Sequence, residues 1–491
     1  MAKFVDEDLD EVEFKSCWKK ERNLHNSTTQ TLEVETDDAS SQSVSKSHVE
    51  IQTEDTSPEA SKTPEYNPDT LLAFLKRVEP GVMEYLDKTH RSHAFDGYDV
   101  STVDEDLPMS CIHTLTATEL VKELKCTSLS WNAIGSTLAI GYGTTDHQDW
   151  CTHKGLVLTW NLDRQKVKQD KPDTSIEVSS CVNSLAFHPK FPAWIAGGTF
   201  SGDAMIWDLG ESEPLMSSSS LDEDSHREGV CSVVWIEQST RSRNKAKVMS
   251  VCSEGKVLIW DFVVGKDQLK LSAGWFLSSG PTKGLGSDTK QASLGVTCLS
   301  FWPDDQSSMI VGSESGGLYK CNMVEDFTEG NDLVTSLPVA FKFQAHRGPV
   351  YSSHCSPFHH NLFLSCSSDS CARIHSVLES HPVMVCEPGD SYLFSARWSP
   401  VRPLVFAVGT GEGRLLVFDL KKSKVLPVLS LEINKKGVPV YTLEFNHIRQ
   451  SLLACGDGEG AVRVWRLSDD LCHQGSREVD LLRDMTALNL D

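Results

Sequence analysis

The stretch TLEFNHIRQSLLACGDGEGAVRVW, Thr442–Trp465, contains the pattern that decides the fold. A first alternating segment closes on Phe445, a second apolar segment follows, and the turn GDGEG leads into a third segment that ends on Trp465. Alternation at period two indicates half-buried β-strands, and a glycine such as Gly460 suits a hairpin turn that needs positive φ. The stretch therefore predicts consecutive antiparallel strands.

This pattern occurs seven times from about residue 128 onward, and we number the copies repeats one to seven. Aligned on their turns, they end on Trp160, Trp207, Trp260, Cys321, His375, Phe418 and Trp465, each five residues after Gly155, Gly202, Gly255, Gly316, Ser370, Gly413 and Gly460. A single unit of this kind cannot bury both of its faces. Units arranged radially cover one another, with the terminal aromatic filling the space between neighbouring sheets.

The repeats resemble the WD-repeat β-propeller family. Trp207-Asp208 and Trp260-Asp261 are the dipeptide that names it, while Trp160-Asn161, Phe418-Asp419 and Trp465-Arg466 are degenerate forms. Repeats four and five depart furthest from the pattern. The resulting fold class is all-β, a seven-bladed WD-repeat β-propeller preceded by a disordered N-terminal arm and one amphipathic helix.

Closure of the ring needs a strand from the other end of the domain. After Leu467 the chain becomes polar and helix-like, so it offers no fourth strand to the last blade. The segment MSCIHTL, Met109–Leu115, alternates suitably and is predicted to be that strand. The propeller is therefore expected over residues 109–470, with a partly helical tail over 471–491.

Composition excludes several classes of function. The chain has 491 residues with 39% hydrophobic residues and a formal net charge of −23, which disfavours binding to nucleic acid through a basic surface. Its N-terminus is acidic and no long apolar run occurs, so no membrane insertion is expected. The 15 cysteines lack a framework spacing and are interpreted as reduced thiols of a cytosolic protein.

Catalytic and cofactor motifs are absent from the sequence, so an enzyme is not expected. The strings GTGEG and GDGEG lie between strands and lack the helix that would hold a phosphate. His147, Cys151 and His153 could approach one another on a loop, but a metal needs further ligands and supporting partners, which the sequence does not indicate. Neither a metal site nor a cofactor is therefore predicted.

Residues 1–66 form an acidic segment with 16 Asp or Glu against 7 Lys or Arg, a composition typical of disorder. It holds two short motifs, Thr29-Gln30-Thr31 and Ile51-Gln52-Thr53. Such stretches can add a strand to the exposed sheet edge of a partner, and two copies raise the effective concentration for dimeric partners. The alternative is a chance match in polar sequence.

Residues 67–93 are predicted to form one amphipathic helix, followed by a linker over 94–108. Its apolar face consists of Leu71, Leu75, Val78, Val82 and Leu86. Asn67 or Asp69 can cap the helix, and Pro80-Gly81 should kink or split it. Either the propeller or a separate protein could cover this face.

The order of these parts resembles that of dynein intermediate chains, and strings such as LLAFLKRVEPGVMEYLDK and RWSPVRPLVFA are similar to the cytoplasmic dynein-2 type. The resemblance implies a scaffold of the retrograde intraflagellar transport motor in the cytoplasm and cilium. The propeller would bind the dynein-2 heavy chain and the helix a roadblock-type light chain. The arm would bind hub-type and Tctex-type light chains that join it to a second, larger intermediate chain. The alternative class is a substrate receptor of a ubiquitin ligase or a histone-tail reader.

Overall fold

The computed structural model describes residues 68–91, 108–147, 151, 153–219, 225–236, 245–278, 294–323, 334–389, 391–475 and 477–487. The chain divides into two units, Met1–Ala94 and Phe95–Asp491. The described helices are α1 (Pro68–Arg91), α2 (Thr118–Val121), α3 (Asp469–Cys472) and α4 (Glu478–Ala487). Among the described residues, no helix is long and apolar enough to cross a bilayer.

The second unit is built almost entirely of strands. Its first half contains β1 (Met109–Leu115), β2 (Lys125–Trp131), β3 (Thr137–Gly143), β4 (Gly155–Asn161), β5 (Thr174–Val178), β6 (Val182–Phe187), β7 (Trp194–Thr199), β8 (Ala204–Asp208), β9 (Leu215–Ser219), β10 (Val230–Ile236), β11 (Lys245–Cys252), β12 (Lys256–Val263) and β13 (Gln268–Ser278). Its second half contains β14 (Val296–Trp302), β15 (Asp305–Ser313), β16 (Leu318–Asn322), β17 (Val334–Pro338), β18 (Phe341–Lys342), β19 (Val350–Cys355), β20 (Leu362–Ser367), β21 (Ala372–Ser376), β22 (Pro382–Cys386), β23 (Leu393–Trp398), β24 (Val405–Thr410), β25 (Arg414–Asp419), β26 (Leu429–Glu432), β27 (Val440–Phe445), β28 (Leu452–Asp457) and β29 (Val462–Leu467).

The strands form sheets that follow the repeats. In the described part of the chain, five sheets have four strands, in the orders β2-β3-β4-β5, β14-β15-β16-β18, β19-β20-β21-β22, β23-β24-β25-β26 and β1-β29-β28-β27. The remaining nine-stranded sheet has the order β10-β11-β12-β13-β9-β8-β7-β6, with β17 also paired to β13. Within it, the outer strands β9 and β13 meet through a short parallel pairing of Gln268 with Ser218 and Leu269 with Ser219.

The first strand of each four-stranded unit belongs to an inner ring of the molecule, and we call these the first strands. Each of β2, β6, β10, β14, β19, β23 and β27 contacts the next, and β27 contacts β2. The hydrophobic clusters lie between neighbouring sheets: Trp160 shares a cluster with Val462, and Phe418 shares one with Leu364. Because each sheet buries its faces against the sheets beside it, the molecule is a β-propeller.

The ring closes through β1. This strand pairs antiparallel with β29, from Met109 opposite Leu467 to Leu115 opposite Val462, with one irregularity between Cys111 and His113. Met109 and Leu115 are buried. The last sheet therefore takes its outer strand from the N-terminal end of the second unit, which covers an edge that would otherwise be open.

The turn glycines behave as the repeat pattern predicts in all but the first repeat. Gly202, Gly255, Gly316, Gly413 and Gly460 have positive φ, and Ser370 takes the same left-handed conformation at φ 62°. Assigning Gly155 to an equivalent turn is wrong. It begins β4 after a longer loop, and a Cβ there would lie 2.2 Å from the carbonyl oxygen of Ser180, so close backbone approach explains this glycine.

The tail after β29 packs on the propeller through α4. Leu482 is buried in the cluster that contains Phe418. Arg402 donates through Nη2 to Glu478 Oε1 at 2.5 Å and through Nη1 to Asp419 Oδ2 at 3.1 Å. This buried ion-paired network fixes the start of α4 against the sheet of β23–β26.

Candidate interaction surfaces

The apolar face of α1 is the first candidate surface. Four of its five predicted residues are exposed, from 40% for Leu71 to 58% for Leu86, and Val78 is half-buried. Leu72, Phe74, Met83 and Tyr85 are also exposed and widen this face to about half of the helix circumference. So large an apolar area is characteristic of a protein-binding surface.

Local contacts support the helix itself. Glu84 and Lys88 form an ion pair of 2.8 Å at i, i+4 spacing, and the Lys88 ammonium lies 5.6 Å from the centroid of Tyr85. The helix runs without a break through Pro80 and Gly81, where the sequence suggests a kink or split. A proline removes a single backbone hydrogen bond, and the flanking bonds maintain the helix here.

The two Gln-Thr motifs of the arm, Thr29-Gln30-Thr31 and Ile51-Gln52-Thr53, lie outside the described residues. The aromatic residues that end the repeats lie in the propeller core: Trp160, Trp207, Trp260, Phe418 and Trp465 are all buried. Asp208 accepts a hydrogen bond from Trp194 Nε1 at 3.0 Å, and Asp261 lies 3.5 Å from Lys247 Nζ. Their burial and these contacts indicate that they pack neighbouring sheets together.

An aromatic cluster on the propeller, with two exposed and two half-buried rings, is the second candidate surface. We define the aromatic rim as Tyr351, Tyr392, Phe394 and Tyr441, which lie at the starts of β19, β23 and β27. The ring of Phe394 lies 5.0 Å from those of Tyr351 and Tyr441 and 6.4 Å from that of Tyr392. Sequence reasoning missed this surface, because the four residues meet only when three first strands stand side by side in the ring.

Two buried hydrogen-bond networks that each contain a histidine were also not predicted from the sequence. Before β10, His226 Nε2 lies 2.6 Å from Ser250 Oγ, which accepts a hydrogen bond from Trp260 Nε1 at 2.7 Å. Before β19, His346 lies 3.0 Å from Asp369 Oδ2 and 2.9 Å from Ser365 Oγ. A histidine four residues ahead of the valine that begins a first strand, as at Val230 and Val350, is the signal that identifies both.

Ser365, His346 and Asp369 are the residue types of a hydrolase triad. We interpret this array as a part of the fold, because it is buried. Ser365 is 0% exposed, so a substrate cannot reach its hydroxyl. Burial opposes ionisation of Asp369, yet hydrogen bonds from His346 and the Arg347 N–H, with the charge of Arg373, hold the pKa of this carboxyl below its usual range. The network therefore ties the segment before β19 to β20 and to the turn that follows it.

Repeat five places His375 where other repeats have Trp or Phe. His375 is 0% exposed and stacks on Phe363 with ring centroids 4.9 Å apart and planes 8° apart. Neither of its ring nitrogens has a hydrogen-bond partner among the described residues. Burial lowers the pKa of His375 to about 3, so the ring is neutral and fills the position as an aromatic would.

Known proteins match this chain over most of its length. A family model described as the dynein axonemal intermediate chain 3 WD40 domain matches residues 293–467. Cytoplasmic dynein 2 intermediate chain 2 of Mus musculus is 39% identical over 99% of this chain and 93% of its own length. The Homo sapiens protein of that name is also 39% identical, over 86% of this chain and 80% of its own length. Human dynein axonemal intermediate chain 2 is 27% identical over 76% of this chain and 57% of its own length. With a WD-repeat propeller, an amphipathic helix ahead of it in the sequence and this similarity, the chain belongs to the dynein intermediate chain family.

Proposed function

We propose that this chain is a non-catalytic intermediate chain of a cytoplasmic dynein-2 motor, acting in the cytoplasm and the cilium in retrograde intraflagellar transport. One observation carries the proposal: the mouse and human relatives with that printed name align with nearly the whole chain, whereas the axonemal relative is less similar. The chain therefore holds motor subunits together and performs no chemistry itself.

We propose further that the propeller has seven blades. The runs β6–β9 and β10–β13 each consist of four antiparallel strands, as in the separate sheets, and their short parallel pairing explains why they join into one sheet. The propeller is the part that binds the dynein-2 heavy chain. The aromatic rim supports this assignment, since aromatic residues are enriched where proteins bind each other.

The light chains bind ahead of the propeller. The apolar face of α1, from Leu71 to Leu86, seats a roadblock-type light chain, because its exposed area needs a protein to cover it. The motifs around Gln30 and Gln52 bind hub-type and Tctex-type light-chain dimers as added strands. Two such sites on one arm join this chain to the second, larger intermediate chain by raising the effective concentration.

Pull-downs of the full chain from ciliated cells test these assignments separately. Leu75→Asp places a charge on the apolar face of α1 and should reduce recovery of roadblock-type light chain at least tenfold, because an unpaired charge would be desolvated at a cost of several kcal/mol. Ala73→Asp introduces the same charge on the opposite face of the helix and is the matched control. The joint change of Gln30, Thr31, Gln52 and Thr53 to alanine should remove the hub-type and Tctex-type chains and leave recovery of the roadblock-type chain unchanged.

Heavy-chain recovery should be unchanged in all three variants, because the propeller is intact in each. If Leu75→Asp makes the whole protein insoluble while Ala73→Asp does not, the apolar face of α1 is covered by its own chain and the light-chain assignment is wrong. Absence of every dynein subunit from the wild-type pull-down would overturn the motor function itself.

A further inference from the structure

The loop between β3 and β4 is longer than the hairpin turns of the other repeats and carries three residues that can bind metal. His147, Cys151 and His153 lie in this loop, at the face of the propeller where second strands turn into third strands. The same face carries the connection from β5 to β6, which contains Cys181. The sequence separates Cys181 from the loop, so the tertiary structure alone supplies a fourth candidate ligand.

These four side chains converge on one point. One ligand atom from each, the Sγ of Cys151 and Cys181 and a ring nitrogen of His147 and His153, lies within 4.8 Å of all the others. His147 Nε2 is 3.3 Å from Cys151 Sγ. In a tetrahedral site with zinc–sulfur bonds of about 2.3 Å and zinc–nitrogen bonds of about 2.0 Å, neighbouring ligand atoms are about 3.3 to 3.8 Å apart. The observed spacing needs only a small contraction to reach that geometry.

Backbone N–H groups donate to both sulfur atoms of the cluster. The Thr144 N–H donates to Cys181 Sγ at 3.2 Å, and the Cys181 N–H donates to Cys151 Sγ at 3.4 Å. A thiolate sulfur accepts such hydrogen bonds, and a bound metal ion takes the place of the thiol proton.

The backbone and the neighbouring ring hold the ligands in place. The His147 ring stacks on Phe200, with centroids 3.7 Å apart and planes 9° apart, which fixes the direction of its nitrogens. Glycines allow the loop ends to approach Cys181 closely. An added Cβ at Gly143 would lie 2.9 Å from Cys181 Cβ, and one at Gly155 would lie 3.1 Å from Cys181 Cα. Supporting contacts of this kind orient metal ligands.

We propose that His147, Cys151, His153 and Cys181 bind one zinc ion. Two sulfur and two nitrogen ligands in a four-coordinate arrangement suit zinc, and four protein ligands leave no open position for catalysis, so the site is structural. The ion joins the loop of repeat one to the connection that enters repeat two. It takes the place of the tight turn with a left-handed residue that the other repeats use.

Elemental analysis of the full-length protein, purified under reducing conditions without chelator, tests the proposal. Wild-type protein should carry about one zinc ion per chain. Cys151→Ser and Cys181→Ser should each lower zinc content at least tenfold, whereas Cys111→Ser, which changes an exposed thiol elsewhere, should leave it unchanged. After removal of zinc from the wild type, added cobalt(II) should give the visible spectrum of a tetrahedral thiolate complex, a readout that does not depend on variants folding.

Three results would overturn the site. These are wild-type protein with free thiols and less than a tenth of a zinc ion per chain, zinc content that persists in the Cys151→Ser/Cys181→Ser double variant, and a disulfide between Cys151 and Cys181 in protein from a reducing cytosol. None of these results depends on dynein binding, so the zinc site and the proposed function fail independently.

Discussion

At the scale of single residues, repeats five and six solve the same packing problem with different side chains. Phe363 and His375 are direct cross-strand partners, as are Phe406 and Phe418 one sheet further on. Both pairs stack almost in parallel, at 8° with centroids 4.9 Å apart and at 7° with centroids 4.7 Å apart. The His375 ring thus packs as Phe418 does, but its two buried nitrogens have no hydrogen-bond partner among the described residues.

His375→Phe should therefore stabilise the propeller. The change removes two unsatisfied buried polar atoms and reproduces the pair of repeat six, so the free energy of unfolding should rise by about 1–3 kcal/mol. His226→Phe is the control, since that histidine is bonded to Ser250 and its loss should destabilise the protein. Urea denaturation measures both. A lower stability for His375→Phe would mean that its nitrogens have partners in solution.

At the scale of elements, β1 is the strand that closes the ring. Its seven residues complete the sheet of β27–β29, and the Ser468 N–H donates to the Pro108 carbonyl at 3.0 Å to extend the pairing. Without it, β29 presents a row of unpaired backbone groups and the cluster around Leu115 opens. Hydrophobic strands with bare edges pair with other molecules.

A variant that begins at residue 95 should be monomeric and β-rich, while one that begins at residue 120 should aggregate, because only the first keeps β1. Size-exclusion chromatography with light scattering and circular dichroism measure the difference. The longer variant should also keep binding to heavy-chain tail while losing the light chains. A soluble monomer from the shorter variant would show that the ring closes without β1.

At the scale of the whole molecule, several histidines are buried in neutral form. Burial, assisted by nearby positive charge, lowers the pKa to about 3 for each of His226, His354 and His375. In the unfolded chain these rings titrate near pH 6.5. As the pH falls below that value, the unfolded state takes up protons and the folded state does not, so the stability that is present above pH 6.5 is lost toward pH 3.

Lowering the pH from 7.5 to 5.5 should therefore reduce the free energy of unfolding by about 1.4 kcal/mol per histidine, or about 4 kcal/mol for the three. Denaturation with urea at several pH values measures this slope. His375→Phe should flatten it by about one third, since one of the three groups is removed. A pH-independent stability over this range would contradict the neutral, buried state of these rings.

The sequence by itself determined the features that arise locally. Strand alternation, a turn glycine and a terminal aromatic such as Trp207 or Trp465 lie within about 25 residues of one another in a single repeat. The repeats recur every 43 to 61 residues, so the sequence pattern reveals them directly. The pattern of Leu71 to Leu86 likewise predicts the helix α1, because helical spacing is a property of adjacent turns. The repeat pattern also predicts a radial fold, since units of this kind must cover one another.

Tertiary structure alone decided what depends on distant partners. The aromatic rim, the pairing of β9 with β13 and the approach of Cys181 to His147 join residues of different repeats. The connection that leads to Gly155 differs from the other turns for the same reason, since Ser180 and Cys181 approach the backbone of Gly155. Local sequence specifies how a strand alternates and where it turns. Which side chains meet across two sheets depends on the ring geometry, and a single sequence carries no direct record of that geometry.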